Sequence, residues 1–223
     1  EFVGLVDWFK SREASRIAEG WASEASYGAM WVALTCEYFR RCRVDIAIME
    51  AGAGGLYDLT NVVEPVIAAV TSVGMDHVLS LGPTLAAIAR HKAGVFKAGI
   101  PAIAVDRGDD TLAILKTRAE AVGAPFRAIR RERDYWAEAP ASSRERLSYV
   151  GRNLEIMGAE LGLVGPYQID NAALAVAIVD GLIDAGYPIT QKSVEIGLAG
   201  ARLPGRWEIV SDSPRIVLDG AHN

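Results

Sequence analysis

The sequence predicts an α/β fold, a mostly parallel sheet flanked by helices, and three observations carry that prediction. Short runs rich in β-branched residues alternate with segments whose apolar residues recur at helical spacing. The runs are apolar at nearly every position, as expected of strands covered on both faces. Polar residues able to do chemistry (Glu50, Asp76–His77 and Asp219–His222) directly follow run ends, where an open parallel sheet receives its ligands.

The elements follow in order. "YGAMWVALTCEYFRR" (27–41) has helical spacing through Met30, Leu34 and Phe39. "VDIAIME" (44–50) and "PVIAAVTSVG" (65–74) read as strands. "TLAAIARHKAGVFKAG" (84–99) reads as a helix closed near Gly94, with a further turn beyond it. "IPAIAV" (100–105) is a third strand, and "DDTLAILKTRAEAVG" (109–123) is a helix opened by aspartates and closed by Gly123. The stretch 124–165 is charge-rich at "RRERDYWAEAPASSRER" and then alternates in short runs, which predicts an irregular or antiparallel segment. Helices return at 167–185 and 190–199, and the turn "SDSP" separates the strands "WEIV" and "RIVLDG". Strands alternating with helices imply βαβ crossovers. Residues 1–207 are expected to form a central domain and 208–223 to begin another.

Composition excludes several classes. With 223 residues and 51% hydrophobic content the chain can bury a substantial core. A net charge of −5 with mixed signs gives no footprint for nucleic acid and no polybasic membrane anchor. No apolar run approaches the roughly 18 residues of a membrane span, and the N-terminus does not read as a signal peptide. Cys36 and Cys42 lie six residues apart, poor material for a disulfide framework, so a reduced, cytoplasmic protein is expected. The tryptophans Trp8, Trp21, Trp31, Trp136 and Trp207 read as packing anchors. Both ends read as though cut from a longer chain.

Three segments, "EAGAGGLYDLTN" (50–61), "TSVGMDHVLSLGPT" (71–84) and "IARHKAGVFK" (88–97), together resemble the folylpolyglutamate synthase/dihydrofolate synthase family of ATP-dependent Mur ligases. Later segments match in the same order: "YQIDNAALA" (167–175), "LPGRWE" (203–208) and "LDGAHN" (218–223). The resemblance implies a ligase that uses ATP and Mg2+ to join L-glutamate to a folate or dihydropteroate carboxylate through an acyl phosphate, acting as a monomer. It implies magnesium ligation by Glu50, His77 and Lys92, the lysine carbamylated. A carbamate offers a hard cation an oxygen ligand where an ammonium would repel it, and forming one needs a partly desolvated amine. By the same resemblance Asn171, Arg206, Asp219 and His222 contact nucleotide, and Tyr57, Asp58 and Leu59 contact the pterin-bearing substrate, Asp58 foremost. Gly52, Gly54 and Gly55 let the backbone turn and approach a ligand.

Taken singly, each residue has a plainer reading. Glu50 would be a solvated strand-end carboxylate, His77 a turn residue bonded to backbone, and Lys92 a wet lysine on a helix face. Arg206 and Asp219 would form a structural ion pair. Asp76 would either support His77 or cap its turn. The family's phosphate-binding loop, G-x-x-G-K-[ST], is expected upstream of Glu1, and these residues alone are expected to be inactive. Leu56 stands where the family has arginine and His91 where it has glutamate. These departures keep two alternatives open: a Mur-type ligase for a peptidoglycan precursor or other amino-acid polymer, and a binding module without catalysis.

Overall fold

In the computed structural model, which describes residues 1–21, 25–138 and 144–220, the chain divides into two units, Glu1–Val63 and Glu64–Asn223. The first is built on α1 (Phe2–Ala18) and α2 (Tyr27–Cys42). The Ser26 hydroxyl accepts from the Ala29 amide and caps α2, while Arg43 closes it in the left-handed conformation. Glu37, buried on α2, accepts from the guanidinium groups of Arg40 and Arg41. Those hydrogen bonds outweigh burial and lower its pKa to about 2. Phe2 stacks on Trp31 at 6.0 Å between ring centres, tying the two helices together. No expectation covered α1; Leu5 is its one buried residue, so its apolar stripe is too narrow to stand out.

The strand expected at 44–50 does not form. The segment carries no ladder, and Ile48 is 90% exposed. A strand exists only where a neighbour supplies backbone partners, and no described residue of the first unit is in a strand.

The second unit holds a parallel sheet of order β1-β2-β3, formed by Ala68–Val70, Ala102–Asp106 and Phe126–Arg130. Between β1 and β2 run α3 (Val78–Leu81), α4 (Leu85–Lys92) and a 3-10 turn, Ala93–Val95; α5 (Thr111–Val122) joins β2 to β3. The expected helix closure near Gly94, its further turn and the left-handed Gly123 cap are all present. One correction concerns 124–165, whose first strand, β3, completes the parallel sheet. Its arginines obscured this: Arg127 donates to Asp180, and Arg130 pairs with Asp106 at the strand end. The rest of the stretch is antiparallel as expected, with β4 (Tyr135–Glu138), β5 (Arg146–Val150) and β6 (Glu155–Glu160) in that order.

Side chains alternate along β2. Ala102 and Ala104 face one core with Phe96, Leu115 and Ala119. Ile103 and Val105 face the other, with Ile169, Ala173 and Val176 of α6 (Tyr167–Asp184) and Tyr149 and Ile156 of the antiparallel sheet. The parallel sheet is therefore covered on both faces. A capping box between Thr190 and Ser193 starts α7 (Gln191–Gly200), and β7 (Glu208–Asp212) pairs with β8 (Arg215–Leu218) as a hairpin. Among the described residues no helix is long and apolar enough to cross a membrane, and Cys36 and Cys42 are not disulfide-bonded. Trp21 and Trp207 depart from the packing expectation: both are half-exposed or more, Trp21 beneath the Arg16 guanidinium.

Asp180, 1% exposed, ties the two sheets together. It accepts from Arg127, Tyr149 and the amides of Arg152 and Asn153. Burial works to raise its pKa, but the two amides and the guanidinium outweigh it and hold the pKa low. Asp180→Ala should lower the unfolding free energy by about 3 kcal/mol or more, since several donors lose their acceptor. Because the folded pKa is depressed, this stabilisation is present above about pH 4 and is lost as pH falls through the folded value. Urea midpoints from pH 7 to pH 3 should therefore converge for the two proteins at the acid end.

Candidate active site

The loop after Met49 is organised by a single carboxylate. Asp58 Oδ2 accepts from the amides of Gly52 and Ala53 at 2.9 and 3.2 Å, and Oδ1 accepts from the amide and hydroxyl of Thr60. The second pair also caps the 3-10 turn Leu59–Val62. Burial opposes ionisation of this carboxyl, but the hydrogen bonds from Thr60, Ala53 and Gly52 prevail and lower its pKa. A Cβ at Gly52 would stand 3.3 Å from Oδ2, so glycine suits the close approach. Gly28 makes room for Leu59 in the same way, a Cβ there falling 2.7 Å from Leu59 Cδ1. Glu50 is exposed just before the clamped amides, and Tyr57 is 80% exposed on the rim.

In the second unit, the chain leaving β1 reaches His77 in the left-handed region, φ 49°. A left-handed residue that is not glycine is uncommon and often marks a functional position. Asp76 does both things open to it. Its Oδ1 accepts from the His77 amide at 2.7 Å, and its Oδ2 lies 3.8 Å from His77 Nε2. The Ser80 hydroxyl donates to the His77 carbonyl, and α3 starts there. Gly82, φ 99°, then turns the chain into α4, which Thr84 caps. Lys92 ends α4 half-buried, and its ammonium has no hydrogen bond or ion pair among the described residues.

Asn171 donates to the buried Gln168, and both line a cavity of about 150 Å3 with Leu161, Leu198 and Ala201. The segments carrying Arg206 and Asp219 meet through backbone hydrogen bonds. Asp219 Oδ2 accepts from the left-handed Trp207 amide at 2.9 Å, and the Gly220 amide donates to the Gly205 carbonyl. The exposed Arg206 guanidinium lies beside Gly220. Glu50, Tyr57, Asp58 and Leu59 thus belong to the first unit, and His77, Lys92, Asn171, Arg206 and Asp219 to the second. His222 lies outside the described residues. Among the described residues no three His, Cys, Asp or Glu side chains group as a metal site. Sequence reasoning missed the role of Gln168, although it stands in the quoted "YQIDN", and the double bonding of Asp58, for which the Asp-x-Thr spacing is the local signal.

The second unit, with its parallel sheet covered on both faces and the polar turn at His77 following β1, belongs to the class of α/β domains. Residues 22–179 match the Mur ligase middle domain family, and the chain belongs to that family. It is 37% identical over 191 residues to a folylpolyglutamate synthase of Lacticaseibacillus casei, a match covering 83% of this chain and 44% of that protein. It is 35% identical over 182 residues to a dihydrofolate synthase/folylpolyglutamate synthase of Bacillus subtilis, covering 81% and 42%. Among solved structures, an FPGS–AMPPCP–folate complex superposes with a TM-score of 0.88 at 33% identity, covering 99% of this chain and 54% of that one. The chain thus spans less than half the length of these two curated relatives.

Gly82→Ala tests the turn between His77 and α4. A Cβ there would sit 2.9 Å from Ala87 Cβ on a backbone that disfavours side chains. The substitution should cost about 2 kcal/mol in a urea titration.

Proposed function

We propose that this chain is the central part of an ATP-dependent ligase that joins L-glutamate to a folate or dihydropteroate carboxylate. The observation carrying this reading is the 0.88 TM-score match, at 33% identity, to an FPGS–AMPPCP–folate complex, in a chain of the Mur ligase middle domain family. The γ-phosphoryl group of ATP passes to the substrate carboxylate, giving an acyl phosphate and ADP. The glutamate amine then attacks the acyl carbon, phosphate leaves, and the amide nitrogen gives up its proton. Catalysis of this kind depends on positioning and on neutralising charge.

A carboxylate at Glu50 and a carbamate at Lys92 would suit a hard divalent cation, while the His77 imidazole is a less usual magnesium ligand that rests on the family resemblance. Glu50 offers an exposed carboxylate and His77 a half-exposed imidazole, and Lys92 is half-buried with its ammonium unengaged, the setting a carbamate needs. These three residues would hold Mg2+, which supplies charge neutralisation at the phosphates when bound. Asn171, beside its cavity, would take the nucleotide with Arg206, Asp219 and His222, the arginine bonding phosphate oxygens in a fork. Tyr57, Asp58 and Leu59 would form the edge facing the pterin-bearing substrate. We assign residues 1–207 to the central domain and 208–223 to the start of the next, because the β7–β8 hairpin joins neither other sheet. The unpaired Cys36 and Cys42 support a cytoplasmic, reduced setting, and we take the enzyme to act as a monomer.

In the full-length enzyme, phosphate release should require ATP, glutamate and a pteroate-type acceptor together. Release that ignores acceptor and glutamate, or that prefers a UDP-linked peptidoglycan precursor, overturns the assignment. Carbamylation of Lys92 has its own readout. After incubation with 13C-bicarbonate a carbamate carbon signal should appear, and Lys92→Arg should abolish it while lowering kcat at least about 100-fold. An unchanged signal in the variant rejects the role.

A further inference from the structure

The carboxyl edge of the parallel sheet carries a pair of arginines that none of the roles above uses. Asp106 and Arg130 are register partners at the ends of β2 and β3, and Arg107 and Arg131 are the next residues on each chain. Neighbouring strands lie about 4.8 Å apart, so the two chains leave the sheet side by side. Both guanidinium groups reach one carboxylate. Arg107 Nη2 lies 3.5 Å from Asp170 Oδ2, and Arg131 Nη1 lies 4.0 Å from Oδ1. That oxygen already accepts from the Tyr135 hydroxyl at 2.9 Å, and burial and this bond push the phenol's pKa up, so it stays a donor.

The neighbouring arginines are engaged differently. Arg130 donates to Asp106, and Arg133 donates to Asp134 and the Ala128 carbonyl. Arg107 and Arg131 donate no side-chain hydrogen bond among the described residues, and both are exposed to solvent. Glu132, 3.6 Å from Arg131, is itself well exposed, where such a contact contributes little. Two adjacent guanidinium groups sharing one partly buried carboxylate leave a positive charge and unfilled donor forks, an arrangement that suits an oxyanion.

We propose that Arg107 and Arg131 form a subsite for the carboxylates of a glutamyl chain carried by the acceptor. The inference rests on the ligase reading, in which the reacting carboxylate lies near His77, beyond β1 on the same sheet edge. An acceptor extended by successive glutamates gains one carboxylate with each unit. The exits of β2 and β3 lie progressively farther from β1 along that edge, where such a chain can extend. Phosphate oxygens share this chemistry, but the nucleotide is less well placed for it. Asn171, its proposed contact, lines the cavity with Leu161 and Leu198, whereas the adjacent Asp170 faces Tyr135 and the arginines.

In the full-length enzyme, KM is compared for pteroyl monoglutamate and a γ-linked pteroyl triglutamate, with phosphate release as the readout. The triglutamate should have the lower KM in wild type, and added salt should erode that preference. Arg107→Gln/Arg131→Gln should raise the triglutamate KM about 10-fold relative to the monoglutamate KM, as expected for lost charge-assisted hydrogen bonds, and flatten the salt dependence. Each single arginine variant should show part of this effect, which keeps the subsite testable if the double variant does not fold. Lys116→Gln, a charge removed from the exposed face of α5, should leave the KM ratio as in wild type. A KM for ATP raised equally with either acceptor overturns the subsite in favour of nucleotide phosphates, and a raised KM for free glutamate overturns it in favour of the incoming amino acid. A lowered thermal midpoint with an unchanged KM ratio makes the cluster purely structural. Phosphate release with pteroate but with neither glutamylated acceptor also overturns the subsite while the ligase reading stands. Failure of that reading would show in wild type as phosphate release indifferent to any acceptor.

Discussion

The alternation along β2 is the constraint on which the second unit rests. One five-residue strand must satisfy two separate cores. Its alanines pack with Phe96 and Leu115 on one face, while Ile103 and Val105 pack with residues of α6 on the other. Dense packing leaves little freedom to exchange the two sets, since a methylene too many or too few is felt throughout a core. A shift of one residue in register would exchange every side chain between the faces. The parallel pairings Ala102↔Phe126 and Ala68↔Ala102 are thereby fixed, and so are the points where the chain leaves the sheet to make its polar loops.

Irregular backbone in both units is held by one device. In four places an aspartate accepts from a backbone amide that no helix or strand satisfies. Asp76 takes the amide of His77 and Asp219 that of Trp207, both left-handed residues with φ near 50°. Asp58 takes three amides, and the buried Asp180 takes two beside the β5–β6 turn. A carboxylate can accept several hydrogen bonds at once, and its charge strengthens each one. Irregular backbone can therefore be held as firmly as a strand. The proposed active site, built from loop residues, would gain from this, because phosphoryl transfer rewards fixed geometry more than any single reactive group.

Membership of the Mur ligase middle domain family and the proposed ligase chemistry both follow from residues scattered along the chain. "EAGAGGLYDLTN", "MDH" and "HKAG" carry the proposed metal and substrate positions, and "LPGRWE" with "LDG" forms one closed knot through Asp219 and the Trp207 amide. Leu56, exposed on the glycine loop, and His91, in the last turn of α4, are the departures from the motif. Neither interrupts the clamps described above.

By itself the sequence determined several of the helix ends, because caps and glycines act through neighbours a few residues away. Thr84, Gly123 and the Thr190–Ser193 pair did what local chemistry requires. It also determined the candidate site residues, since a resemblance in ordered motifs needs no coordinates. Only the tertiary structure decided that 44–50 carries no ladder and that the arginine-marked β3 joins the parallel sheet. It also decided that Asp58 spends its oxygens on its own loop. Strand pairing and the partners of a carboxylate depend on what folding brings alongside, and apolar periodicity holds no record of that.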